Sequence, residues 1–207
     1  MKNKIILTGS LTCKCKGFRK YVHGTDIYNL FFKELSVNRI FSNSFEEISI
    51  SFKKIITSKT IYYEIYTSNV KDKEANVIVS FISNNKKYCA ILKSAEDTVK
   101  EAYSFNESDI VKHCLLDLDN KKITLLKKVK FTPIEIFTAM NKKLLNSLFP
   151  PDKSWLMTKF ESAKYYDNLE HKVINMIVKK NVLLKLVKTD IYTKNDKIGS
   201  ISFSKSE

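Results

Sequence analysis

Glycine and proline are scarce in this 207-residue chain, at 4 and 3, and arginine occurs only as Arg19 and Arg39. So few glycines leave no raw material for a phosphate-cradling loop or a dinucleotide fingerprint, and the shortage of both residues excludes collagen-like and linker-like sequences. The near-absence of arginine removes the side chain best suited to bidentate phosphate and base-edge contacts, which weakens a sequence-specific DNA reading. Long apolar runs are missing too. Met1-Lys2-Asn3-Lys4 is a charged opening, but the run Ile5-Ile6-Leu7 stops at Thr8, too short for a signal peptide and far too short for a membrane span. A soluble, cytoplasmic protein is expected.

Cysteine is sparse and awkwardly spaced for metal. Cys13, Cys15, Cys89 and Cys114 make one C-x-C pair and no C-x-x-C, and His23, His113 and His171 are scattered, so no zinc module and no metal site is expected. Free, mostly buried thiols are the expected state; a soft-metal or redox use of Cys13 and Cys15, which share a face in a strand, is the alternative. What the chain does have is 43% hydrophobic residues, enough for a core, and 36 basic against 22 acidic side chains, a net charge of +14. That charge favours anionic partners such as nucleic acid, an acidic carrier protein or a phosphorylated cofactor. Lysines on solvated faces of a Lys-, Asn- and Ile-rich chain account for it equally well.

Two segments carry the same order of elements at one constant offset of 107 positions. In the first, an apolar strand over Lys4 to Leu11 leads to Lys20-Tyr21-Val22-His23-Gly24-Thr25-Asp26-Ile27. In the second, Val111 to Leu118 leads to Lys127-Lys128-Val129-Lys130-Phe131-Thr132-Pro133-Ile134. Each threonine is read as a helix N-cap, because its hydroxyl can accept an orphan amide two or three residues on and an apolar periodic run follows. After Thr25, the residues Ile27, Tyr28, Leu30, Phe31, Phe32 and Leu35 make the helix apolar almost all round, so a sheet should wrap it. After Thr132, Pro133 suits the first helical position, Thr132 and Glu135 have capping-box spacing, and Pro150-Pro151 ends the segment.

Alternating and β-branched runs then predict strands over Glu46 to Lys54, Thr60 to Ser68 and Ala75 to Ser83, with a tight hairpin at Asn84-Asn85 into Lys86 to Ile91. The second half offers about four more: Trp155 to Ser162, His171 to Val178, Val182 to Tyr192 and Ile198 to Ser204, with a hairpin at Thr193 to Asp196. The expected organisation is an α+β chain of two tandem repeats, residues 1–93 and 110–207, joined by an acidic, turn-rich linker over 94–109. Trp155 is expected in the core.

An entry strand, one apolar helix and about four antiparallel strands resembles the hot-dog fold, and two in tandem resemble a double hot-dog. Tyr21 to Glu34 resembles the helix entry of thioesterase-type hot-dogs, and Phe45 to Thr57 resembles the strand that follows it. The resemblance implies acyl-thioester chemistry, dehydratase or thioesterase in type, on substrates carried by coenzyme A or the phosphopantetheine of an acidic acyl carrier protein, with no other cofactor. Dehydratases of this type use a histidine from one hot-dog and a carboxylate from the helix of the other. His23 and Glu135 are the nearest counterparts, with Tyr21, Gly24 and Asp26 as substrate-binding candidates. The sequence departs from the pattern, since H-x-x-x-G-x-x-x-x-P is missing around His23 and neither D-x-x-x-Q nor D-x-x-x-H occurs in the second helix.

Each candidate also has a structural reading. Glu135 can close the capping box, Asp26 can meet the helix dipole, His23 can occupy a turn, and Tyr21 can simply pack. Two other functions compete: a nucleic-acid-associated protein with a clamp-like tandem architecture, and a non-enzymatic interaction or inhibitor protein using exposed strand edges. A clamp needs two helices per repeat, so it requires Ala95 to Tyr103 to be helical.

Overall fold

The computed structural model describes residues 4–42, 44–149, 154–169, 173–183, 185–194 and 196–205. Pro150-Pro151 and the His171 start of an expected strand lie outside them, as do 1–3. The chain forms two compact units, one of Met1–Phe105 with Ala163–Tyr165, the other of Asn106–Ser162 with Tyr166–Glu207.

In the first unit, β1 (Ile5–Thr12) and the short β2 (Cys15–Lys16) precede α1 (Gly24–Ser36), followed by β3 (Glu46–Phe52), β4 (Thr60–Tyr66), β5 (Val77–Ser83), β6 (Lys86–Ser94) and β7 (Ala102–Tyr103). The main strands pair antiparallel in the order β1-β4-β6-β5-β3, and β2 pairs in parallel with β7. The all-round apolar helix is wrapped as its composition demands: Ile27, Tyr28, Phe31, Phe32 and Leu35 are buried. Phe31 meets Tyr63 and Phe81 edge to face, and Phe32 packs on Phe45, Phe81 and Tyr165. Each such ring buries a large apolar area, so this aromatic cluster is the main cohesive element of the unit. Asn84 and Asn85 take φ 51 and φ 58, the left-handed pair that a two-residue hairpin needs.

The ladder order has a local cause. β4 and β5 both run antiparallel to β6, which lies between them, so they are parallel to each other and their link must step over a strand. Residues 67–76 do this, and Val70 packs with Tyr66 and Ile78 on Ala75, Cys89 and Ile91.

The second unit begins with α2 (Ser108–Val111), β8 (Cys114–Asp117) and β9 (Lys122–Leu125), then α3 (Pro133–Leu148), β10 (Trp155–Lys164), β11 (Ile174–Val182), β12 (Leu186–Thr193) and β13 (Asp196–Lys205). Within it β8, β9, β11, β12 and β13 lie side by side in that order, with β10 beyond β13. Phe137 of α3 stacks on Phe160 of β10, and Trp155, buried at the start of β10, belongs to the core as expected.

Three expectations are corrected. The entry strand expected over Val111 to Leu118 is shortened to Cys114–Asp117 and follows a helical turn, because Asn106 Oδ1 accepts from Ser108 N and Oγ as that turn begins and the chain reverses at Asp117–Asn120. The break expected between Val178 and Val182 is absent, and β11 runs on to a turn at Leu183, which takes φ 50. Finally, His23 is the N-cap of α1 and Thr25 lies inside the helix, because the Thr25 hydroxyl is drawn inward to other partners. Ala95 to Tyr103 is not helical; it holds β7, which removes the second helix a clamp repeat requires. No helix among the described residues is long and apolar enough to cross a membrane.

Candidate functional site

The candidate residues of the first unit gather where the chain enters α1. Beyond β1 the side chains alternate: Cys13 is buried, Lys14 is exposed and paired with Glu101 at 2.9 Å, and Cys15 is buried. Cys15 N donates to the carbonyl of Glu101 at 2.8 Å and Gly17 N to that of Tyr103 at 2.8 Å, which fixes the β2–β7 pair. Gly17 then turns the chain at φ +62, a conformation that favours glycine. Held between these bonds, Lys16 is turned fully inward, with 0% exposure.

Its ammonium donates to Thr25 Oγ1 at 2.9 Å, pairs with Asp26 Oδ1 at 3.0 Å and lies 4.0 Å from the centre of the Phe105 ring. The Tyr103 hydroxyl donates to Asp26 Oδ1 at 2.8 Å. His23 joins the cluster through Nδ1, 2.8 Å from Thr25 Oγ1, and stacks beside Tyr21 with centroids 6.4 Å apart. The His23 backbone is extended, and its carbonyl accepts from the amides of Asp26 and Ile27 as the first turn closes. Thus Lys16, Thr25, Asp26 and His23 form one buried polar cluster at the positive end of a helix, which the exposed Tyr103 reaches through its hydroxyl. There the Asp26 carboxylate is stabilised by the ammonium, a phenol and the dipole together.

Two proton arrangements satisfy this geometry. Thr25 accepts from Lys16 and donates to His23 Nδ1, leaving the imidazole proton on Nε2; or Nδ1–H donates to Thr25, whose proton then goes to Asp26 Oδ1 at 3.4 Å. The first uses the shorter contacts and makes Nε2 a proton donor; the second makes Nε2 a base. The nearby thiols are shifted toward their protonated form. Burial, with Asp26 and Asp97 adding, pushes Cys13 up to about 12, and burial followed by Asp26 also raises Cys15. All four cysteines are free.

Glu135 lies in the second unit, in the first turn of α3. Its Oε2 accepts from Thr132 N at 2.9 Å and Thr132 Oγ1 at 2.8 Å, completing the capping box that the sequence spacing indicates. Also in this unit is a cavity of about 170 Å³ lined by Leu125, Lys127, Phe131, Ile136 and Ile174 among others. Gly24 opens α1, and Tyr21 is half-buried beside His23. Of the five residues nominated from sequence, the fold therefore joins His23 and Asp26 through Thr25 and places Tyr21 and Gly24 next to them. Lys16 and Tyr103 were not nominated. Alternation along Cys13-Lys14-Cys15-Lys16 would place Lys16 on the exposed face with Lys14, so the local sequence carries no signal for its burial.

No family model matches the chain, and no curated protein sequence matches it. Solved structures do. A conserved protein of unknown function with a hot-dog fold from Alicyclobacillus acidocaldarius superposes with a TM-score of 0.53 at 4% identity, covering 99% of this chain and 96% of that one. A protein from Novosphingobium aromaticivorans DSM 12444 described as a thioesterase by assignment superposes with a TM-score of 0.52 at 9% identity, covering 97% and 96%. The chain has the hot-dog fold, α+β in class.

Proposed function

We propose that the protein binds acyl thioesters carried by coenzyme A or acyl carrier protein and acts on them through His23, as a thioesterase or dehydratase. The observation that carries this reading is the buried cluster at the entry of α1 in a hot-dog unit. It holds an imidazole with Nδ1 against Thr25 Oγ1, at the end of a helix where backbone amides favour developing negative charge. His23 exchanges the proton beside the thioester carbonyl, Gly24 lets the chain and substrate approach closely, and Tyr21 flanks the imidazole. Asp26 acts through Lys16 and Thr25 to keep His23 in place. Glu135 is proposed as the acid of the second helix; because both Thr132 bonds use its Oε2, that role requires the cap to stay formed while the carboxyl exchanges a proton. The basic surface suits an acidic carrier.

Turnover of a panel of acyl-coenzyme A and acyl-carrier substrates tests this. Activity on at least one chain length is expected, with His23→Ala abolishing turnover while leaving the thermal transition in place. Absence of binding at every chain length, with tight salt-dependent binding of DNA or RNA instead, would overturn it in favour of a nucleic-acid role.

A further inference from the structure

The β11–β12 hairpin ends in a turn whose composition contradicts its position. Positive-φ hairpin tips are places for Asn, Asp and Gly, as at Asn84-Asn85. Here Leu183 holds φ 50, and its side chain is 84% exposed, with Val182 and Leu186 exposed beside it. The strands flanking the tip are paired. Pairing extends to Val182 opposite Leu186, Lys185 N donates to the Val182 carbonyl at 2.9 Å, and Leu186 is paired again with Ser204 of β13. The ladder thus holds apolar side chains out at the end of the sheet, where water is the worst solvent for them.

The charge carried by the hairpin itself is of one sign. From Val173 to Thr189 the sequence has Lys179, Lys180, Lys185 and Lys188 and no Asp or Glu. Lys188 is committed to Glu161 at 2.9 Å and Lys179 lies over the Tyr192 ring at 5.9 Å, whereas Lys180 and Lys185 are exposed on either side of the turn. The neighbouring β8–β9 turn contributes Asp117 and Asp119, but also Lys121 and Lys122, and so does not reverse the sign.

We propose that this hairpin docks on an anionic lipid surface, with Leu183 entering the boundary between headgroups and acyl chains and Lys180 and Lys185 lying against the phosphates. An exposed apolar apex between long cations suits a soft, continuous anionic layer, into which the apex sinks while the lysine stems snorkel back to the headgroups. An acidic protein would instead need a cleft shaped to the apex. The inference does not depend on the acyl-thioester reading.

Co-sedimentation of the full chain with phosphatidylcholine vesicles, and with vesicles in which a third of the lipid is phosphatidylglycerol, is the test. Binding is expected only to the anionic vesicles and should weaken as salt rises. Leu183→Ser should lower partitioning about ten-fold by removing most of one buried leucine. The pair Lys180→Gln and Lys185→Gln should lower it about twenty-five-fold, roughly five-fold per lysine. The control pair Lys71→Gln and Lys73→Gln, exposed lysines of the first unit, should change it little. Unaltered melting temperatures show that the variants are folded. No binding to anionic vesicles, binding insensitive to Leu183→Ser, or an equal loss from the control pair would each overturn the proposal. So would binding to an acidic carrier protein through the hairpin with none to vesicles.

Discussion

At the start of α1, Thr25 turns its hydroxyl into the unit, where it joins the Lys16 ammonium to the His23 imidazole. At the start of α3, Thr132 turns its hydroxyl back on its own helix and closes a box with Glu135. The two residues stand at equivalent places in the sequence, yet the first helix is capped by His23 and the second by Thr132. The difference lies in what else is buried. Among the described residues no lysine is buried at the second entry, so its threonine can turn to the orphan amides of its own helix. In the first, an ammonium with no exposure needs oxygen partners, and an unpaired buried charge costs far more than an unfilled cap. A self-contained cap is a structural device; a polar cluster shared by five side chains is an arrangement in which a proton can move.

The sharpest way to break this comparison is to remove the cation. Lys16→Met should destabilise the protein by about 3–5 kcal/mol in urea unfolding, because Asp26 is left buried without its ammonium. Adding Asp26→Leu to Lys16→Met should recover most of that loss, since the charge is then gone from both sides. A loss below about 1 kcal/mol for the single variant would mean that the pair is solvated and that the cluster does not organise the helix entry.

Much of this fold is readable from residues whose demands are local. The all-round apolar helix from Ile27 to Leu35, the Asn84-Asn85 hairpin, the Pro133 helix start and the Thr132–Glu135 box each follow from neighbours within a few positions, and each appears in the structure. What the sequence conceals depends on distant partners. The burial of Lys16 is decided by β7, Thr25 and Asp26, and the placing of β6 between β4 and β5 by how a ten-residue link, 67–76, crosses the sheet. In the second unit β11 and β12, consecutive in the chain, pair directly with each other, so the same series of elements yields a different ladder. Repeat spacing detects common elements, not common neighbours. The candidate site was legible to the same extent: His23 and Asp26 by their place at a helix start, Lys16 and Tyr103 not at all.

Substitutions at the two threonines sharpen the contrast. Thr25→Val keeps the shape but leaves the Lys16 ammonium and His23 Nδ1 without their shared hydroxyl, and should cost about 2 kcal/mol. Thr132→Ala removes a cap and should cost about 1 kcal/mol. Glu135→Gln retains an acceptor for the box and should lie within about 0.5 kcal/mol of the parent, so any loss of turnover in that variant reports proton exchange rather than folding. Equal costs for Thr25→Val and Thr132→Ala in chemical denaturation would show that both hydroxyls are ordinary caps.

The smallest expected effect is in acid, and it compares how the units are fastened. Glu101 ties the β7 segment to Lys14 and Lys59, whose hydrogen bonds and charges hold its carboxyl down at about 2. Glu161 resists burial, which acts to raise it, but Lys159, Lys188 and Ser200 outweigh that and bring it also to about 2. Both carboxyls are ordinarily at 4.5, so folding favours their ionised forms; that stability is complete above 4.5 and drains away as pH falls toward 2. Glu101 is fully exposed, so solvent and salt screen its bonds, whereas Glu161 is partly buried among β10, β12 and β13. Glu161→Gln should therefore flatten the acid limb of the stability profile more than Glu101→Gln does. Carboxyl titrations followed by NMR check the premise, because midpoints near 4.5 for both groups would leave neither unit fastened by these pairs.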